Sequence, residues 1–286
     1  MKKILILVVI IVLLVAGIAA WYLYDRTPRQ PTAAPVAVTE TAPEPQAPEI
    51  ARPEAEPLEA PLEDMEVPSE PVNAPLPGLA ESDGYVRAEL SEVVGEAGSI
   101  QYFPNEGLVA RAVATVDALG SRQVSGNIQA VTGPGGEYAA VPDPDPPREI
   151  LDEAGDPLPQ YRSDPANAGR YRTYVEMLEA VEAEQFETLY ERNAPLFEQA
   201  WRELGYTDMA FEGRLVEVID ELLATPEVAE PYQLIKPEAY YLFADEELEN
   251  LTAGQKILLR MGSENASRVK AKLREIRRVI DYSGQE

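Results

Sequence analysis

From about residue 82 onward, apolar residues recur at intervals of three and four, the spacing that lines one face of an α-helix. Ser82 heads a segment carrying Val86, Leu90, Val93 and Val94, and a second segment starts near Asn105 with Val109, Val113, Val116 and Leu119 on one face. A third opens at Ser163-Asp164-Pro165 and continues through Tyr171, Tyr174, Val175, Leu178 and Val181. Phe186, Leu189 and Tyr190 extend its period until Asn193-Ala194-Pro195, where the proline predicts an interruption. The period resumes with Phe197 and Trp201 and stops at Leu204-Gly205. Asp208 begins the next helix, with Phe211, Leu215, Ile219, Leu222 and Leu223, closed by Thr225-Pro226. Pro237 stands as a first-turn proline ahead of Tyr240, Tyr241 and Phe243. Thr252 to Met261 reads as a short helix closed by Gly262, and Ser263 caps the last and clearest one, which runs to about Ile280.

Strand signals are sparse. Ile128–Thr132 and Tyr138–Val141 form a weak hairpin pair across Gly133-Pro134-Gly135-Gly136. Otherwise residues 120–162 read as an irregular insertion, with Pro142, Pro144, Pro146 and Pro147 in a row of turns. No internal repeat is visible. The expected fold of residues 78–286 is therefore all-α, an irregular or orthogonal helical bundle, long enough to enclose its own core.

The N-terminal third has a different character. After Lys2 and Lys3, residues 4–24 carry no charge and end in Trp21-Tyr22-Leu23-Tyr24. As a helix they would extend about 30 Å, enough to cross a bilayer, with the aromatic end at a headgroup boundary. The expectation is an uncleaved transmembrane anchor over residues 1–26. A signal peptide cut after Ala19 is the competing reading. The basic flank places the N-terminus inside and the domain outside, giving a single-pass inner-membrane protein with a periplasmic domain and the membrane as one partner. Residues 27–77 follow as a disordered linker. From Pro28 to Pro77 there are 13 prolines and 10 acidic residues, with no aromatic and no glycine. Proline removes backbone donors and like charges repel, so the stretch has too little to bury.

Composition removes several kinds of chemistry. There is no histidine and no cysteine, so a serine–histidine triad, a thiol nucleophile and the usual zinc ligands are absent. No cofactor is implied. Carboxylates remain: Glu217 and Asp220 lie three apart on one predicted helix, and Asp117 ends another. A pair flanking a cleft at about 5–10 Å can hydrolyse a glycoside, which makes a carboxylate-dependent glycan hydrolase the alternative function. In so acidic a chain, close pairs arise by chance, and a solvated acidic face explains them as well. Asp143-Pro144-Asp145 lacks the glycine and distal glutamate of a calcium loop and reads as a turn. The glycines at 133–136 do not precede a helix, so they do not make a phosphate loop.

The last helix carries the sharpest pattern. Ala266, Val269, Leu273, Ile276 and Ile280 recur at three and four in a narrow stripe, flanked by Arg268, Lys270, Lys272, Arg274, Arg277 and Arg278. From Thr252 to Asp281 there are eight Lys or Arg against three acids, in a chain whose net charge is −26. The plainest reading is a stripe packed into the core, with its bases facing the domain's own acidic surface. A docking surface for an unknown envelope protein or an anionic polymer is the functional one, with Lys270, Lys272, Arg274 and Arg278 as candidate binding residues. Anionic lipid or nucleic acid is a further alternative, and nucleic acid is disfavoured because the domain as a whole repels phosphate. The acidic linker could also screen these bases. Oligomeric state is not legible.

Several strings resemble one uncharacterised bacterial family, the domain of unknown function 3014. They are Leu204-Gly205-Tyr206, Val216–Asp220, Leu223-Ala224-Thr225-Pro226, Leu242–Asp245, Ala253–Gly262 and Glu264–Arg274. The resemblance extends over about residues 79–280, with Ala114-Thr115-Val116-Asp117 as its earlier landmark. The resemblance implies a proteobacterial protein with an N-terminal membrane anchor and a proline-rich spacer, no assigned activity and no catalytic residues to carry over. Two positions depart from the pattern: Ala118 stands where asparagine is expected and Glu221 where histidine is expected. The expected function is thus a membrane-anchored envelope protein of unknown biochemistry that serves as a binding or scaffolding module.

Overall fold

A computed structural model of the chain describes residues 76–93, 102–122, 133–180, 183–238 and 240–280. Among the described residues, eight α-helices follow in chain order: α1 (Ser82–Val93), α2 (Leu108–Leu119), α3 (Arg172–Glu179), α4 (Ala183–Glu203), α5 (Phe211–Leu223), α6 (Glu246–Glu249), α7 (Ala253–Arg260) and α8 (Ser263–Val279). Single 3₁₀ segments precede α1 and α3. The main core joins α1, α2, α3, α4, α5, α7 and α8, with Leu90, Leu108, Val113, Tyr171, Leu178, Leu258, Leu273 and Ile276 at or near zero exposure. The last helix is a hub: α8 packs on α3, α4, α5 and α7, and α2 occupies a similar position against α1, α4, α5 and α7.

The all-α expectation is overturned by a four-stranded antiparallel sheet in the order β1 (Ala140–Pro142), β2 (Gln160–Ser163), β3 (Gln233–Ile235) and β4 (Leu242–Phe243). Its register aligns Pro142, Tyr161, Leu234 and Phe243 across all four strands. Leu234 and Phe243 pack with Tyr138, Tyr232 and Leu259 in a second, smaller core. The strands are two to four residues long, too short for period-two alternation to register. Their pairing is also non-local, since α3, α4 and α5 intervene between β2 and β3. Of the expected hairpin, Tyr138–Val141 contributes to β1 but pairs with β2, and Ile128–Thr132 lies outside the described residues. The described residues between Pro237 and β4 are not helical.

Helix ends show where side chains replace missing backbone partners. Thr252 and Gln255 form a capping box on α7. Ser263 is the first residue of α8 rather than its cap: Gly262 occupies the cap position at φ +88°, and Glu230 Oε1 accepts the Ser263 amide at 2.6 Å. Pro195 lies inside α4, which continues to Glu203 because Leu196, Phe197, Ala200 and Trp201 beyond it are buried. Burial of such side chains, about 1.5–3 kcal/mol each, offsets a lost helical hydrogen bond.

Among the described residues, no helix is long and apolar enough to cross a membrane. Even α4, about 31 Å long by its 21 residues, carries charge on successive turns. The span expected at residues 4–24 lies outside the described residues, as does the linker at 27–77. The transmembrane anchor, the membrane as partner and the inner-membrane, periplasmic location are corrected accordingly: no membrane-spanning helix among the described residues supports them.

Helix α7 joins the two cores, and Gly254 sets how closely it approaches. A Cβ there would lie 2.6 Å from Leu222 Cδ2 and 3.2 Å from the Leu119 carbonyl oxygen. Gly254→Ala is expected to destabilise the fold by about 1–3 kcal/mol through overpacking. A lower denaturant midpoint with an unchanged slope checks this.

Candidate functional site

The basic residues of the C-terminal segment diverge in role once folded. Lys256 is buried, its Nζ bonded to Glu249 Oε1 at 2.9 Å and to the Glu249 carbonyl at 3.0 Å. Arg260 is buried under the sheet, its guanidinium 5.2 Å from the Tyr138 ring and 5.0 Å from the Phe243 ring, donating to the Tyr241 carbonyl. Arg268 forms a two-pronged pair with Glu179 of α3, and Arg277 pairs with Asp220 of α5. The Arg268 guanidinium donates to the Glu179 carboxylate and holds it below the usual carboxylate range.

The four candidate binding residues divide in the same way. Lys270 is buried and donates to the Thr225 carbonyl at 2.5 Å. Burial lowers the pKa of its ammonium, with Glu227 opposing the shift and Arg274 reinforcing it. Lys272 is also buried and pairs with Glu275 at 2.7 Å. Arg274 and Arg278, one turn apart, are exposed, and Arg278 Nε donates to the Arg274 backbone carbonyl. The stripe itself is core: Val269, Leu273, Ile276 and Ile280 are buried, with Ala266 partly so.

The carboxylate candidates converge on arginines rather than on each other. Asp117 accepts Arg214 Nε at 2.9 Å and the Tyr206 hydroxyl at 2.8 Å, while Glu217 accepts Arg214 Nη1 at 3.2 Å. Asp220 instead faces Arg277. The pair proposed for glycoside chemistry is thus drawn to two different cations, and both members are exposed. Arg214 was not singled out in the sequence, because a lone arginine on an acidic helix looks like a solvated base. Its proximity to Asp117 is created only by packing α2 against α5.

Glu221 completes this cluster. One carboxylate oxygen, Oε2, is buried without a hydrogen bond among the described residues, and burial raises the pKa, with Arg214 partly opposing. Elsewhere, Asp143 accepts Gln233 Nε2 and pairs with Arg162, so it braces the sheet. Arg170 donates to the carbonyls of Pro134, Gly135 and Gly136, the reverse polarity of a loop that donates amides to phosphate. Among the described residues, no group of three or more acidic residues could hold a metal ion.

These features define a helical domain with a small antiparallel sheet, lacking thiol and imidazole chemistry. Residues 108–277 match the family model described as a protein of unknown function (DUF3014), and the chain belongs to that family. No curated protein and no solved structure matches the chain.

Because the folded pKa of Glu221 lies above the ordinary value, its charged form is disfavoured by folding. Stability should fall as pH rises from the unfolded pKa through the folded one. Glu221→Gln is therefore expected to raise the thermal midpoint at about pH 8 and to lose that advantage by about pH 4. Thermal melts of both proteins across this range check the sign.

Proposed function

We propose that this domain is a binding module that docks an acidic polypeptide segment through the exposed end of α8, with Arg274 and Arg278 as the contacting residues. The carrying observation is their contrast with the helix's other bases. Arg268 and Arg277 are tied to carboxylates on neighbouring helices, and Lys270 and Lys272 are buried, whereas Arg274 and Arg278 face solvent. Two guanidiniums one turn apart can each grip a carboxylate bidentately. The chain's overall negative charge does not cancel them, because at physiological salt charges beyond about 8 Å are largely screened. An acidic polypeptide fits better than nucleic acid, whose continuous phosphate charge would extend over the surrounding acidic surface.

A labelled oligoglutamate peptide titrated into the full chain tests this reading by fluorescence anisotropy. The Arg274→Gln/Arg278→Gln double variant is expected to bind about five- to tenfold more weakly, and wild-type binding should fade as salt rises. Its thermal midpoint should match the wild type, since neither side chain enters the core. Equal affinity of the two proteins would sink the proposal.

A further inference from the structure

A crevice of about 370 Å³ opens between the 225–232 segment and the first two turns of α8, within the size range of small-ligand sites. Its floor is one helical face: Ser263, Ala266, Ser267 and Lys270 stand at i, i+3, i+4 and i+7. The opposite wall runs antiparallel to that face. Thr225 meets Lys270 at one end, and Glu230 meets Ser263 at the other. Seven residues of helix separate the two ends by about 10 Å. Val228, Ala229 and Leu258 line the crevice along with these groups.

The crevice is therefore dipolar. At one end stands a buried ammonium that gives one of its three donors to Thr225 among the described residues. At the other stands the Glu230 carboxylate, held in place by the α8 amide. A second carboxylate, Glu227, also lines the crevice and acts electrostatically on Lys270. A bare anion would meet two carboxylates, and a bare amine would meet Lys270. A zwitterion complements both ends and adds no net charge. Allowing a hydrogen-bond length at each end, its charges should lie about 4–5 Å apart on an apolar spacer. We propose that the crevice binds a short zwitterion of this kind, carboxylate toward Lys270 and ammonium toward Glu230, as in an ω-amino acid or a free dipeptide. This site is independent of Arg274 and Arg278.

Calorimetric titration of the full chain with γ-aminobutyrate, and separately with alanyl-alanine, tests it. Saturable binding of either below about 10 mM is expected, with butyrate and butylamine each about tenfold weaker. The arm that binds more tightly identifies the source of the zwitterion. Lys270→Met should lose about tenfold in affinity, with circular dichroism reporting its fold. If Lys270→Met does not fold, Ala229→Phe, which fills the crevice from an exposed position, decides: lost binding supports the site and unchanged affinity overturns it. Absence of saturable binding by both zwitterions overturns the proposal, as does equal binding of butyrate or butylamine. Undiminished affinity in a folded Lys270→Met variant does so too.

Discussion

Burying the apolar stripe of α8 is the constraint around which the other parts are arranged. Val269, Leu273, Ile276 and Ile280 enter the core where α3, α4, α5 and α7 converge. At about 1.5–3 kcal/mol for each large side chain, this one face is a substantial part of what holds the helices together. Bases flank it on both sides, however, and burying the stripe draws them toward low dielectric, where an unpartnered charge is costly. The neighbouring helices answer with specific acceptors: Glu179 from α3, Asp220 from α5 and the Thr225 carbonyl just beyond α5. Three of the six bases on the last helix, Arg268, Lys270 and Arg277, thus serve to attach it to the rest.

The small sheet depends on the same helix layer through α7. Leu258 of α7 enters the main core, while Leu259 and Arg260 face the sheet. Arg260 lies against Tyr138 and Phe243 and bonds the Tyr241 carbonyl, so one cation joins the segment before β1 to β4, far apart in sequence. Asn167 adds a second tie, its amide exchanging hydrogen bonds with the Ala139 backbone just before β1. Strands this short are stabilised by what covers them more than by their own ladder. The same rule explains the α8 start, where Glu230 from the 225–232 segment replaces a local serine cap.

Much of the helical layer was legible from periodicity. Ser82, Val109–Leu119, Phe211–Leu223 and the Thr252-capped helix all appear close to their expected places, because each buries one face and a single face is a local property. The proline at 195 misled, since a local breaker was outweighed by the burial that follows it. The sheet was illegible, because strands of two to four residues carry no usable period and pair across long separations. Among the candidate residues, the sequence identified the bases of α8 but could not separate Lys270 and Lys272 from Arg274 and Arg278. Those residues differ in neighbours, not in type.

Taken alone, the sequence determined which residues would be apolar core, which chemistries were absent and which helix concentrated positive charge. Each of these follows from residue identity or from spacing within one element. Tertiary structure decided which charges are neutralised, which remain in water, and where a crevice forms between Lys270 and Glu230. The physical reason is that electrostatic energy depends on distance and on exclusion of water, and both are set by segments that meet only on folding.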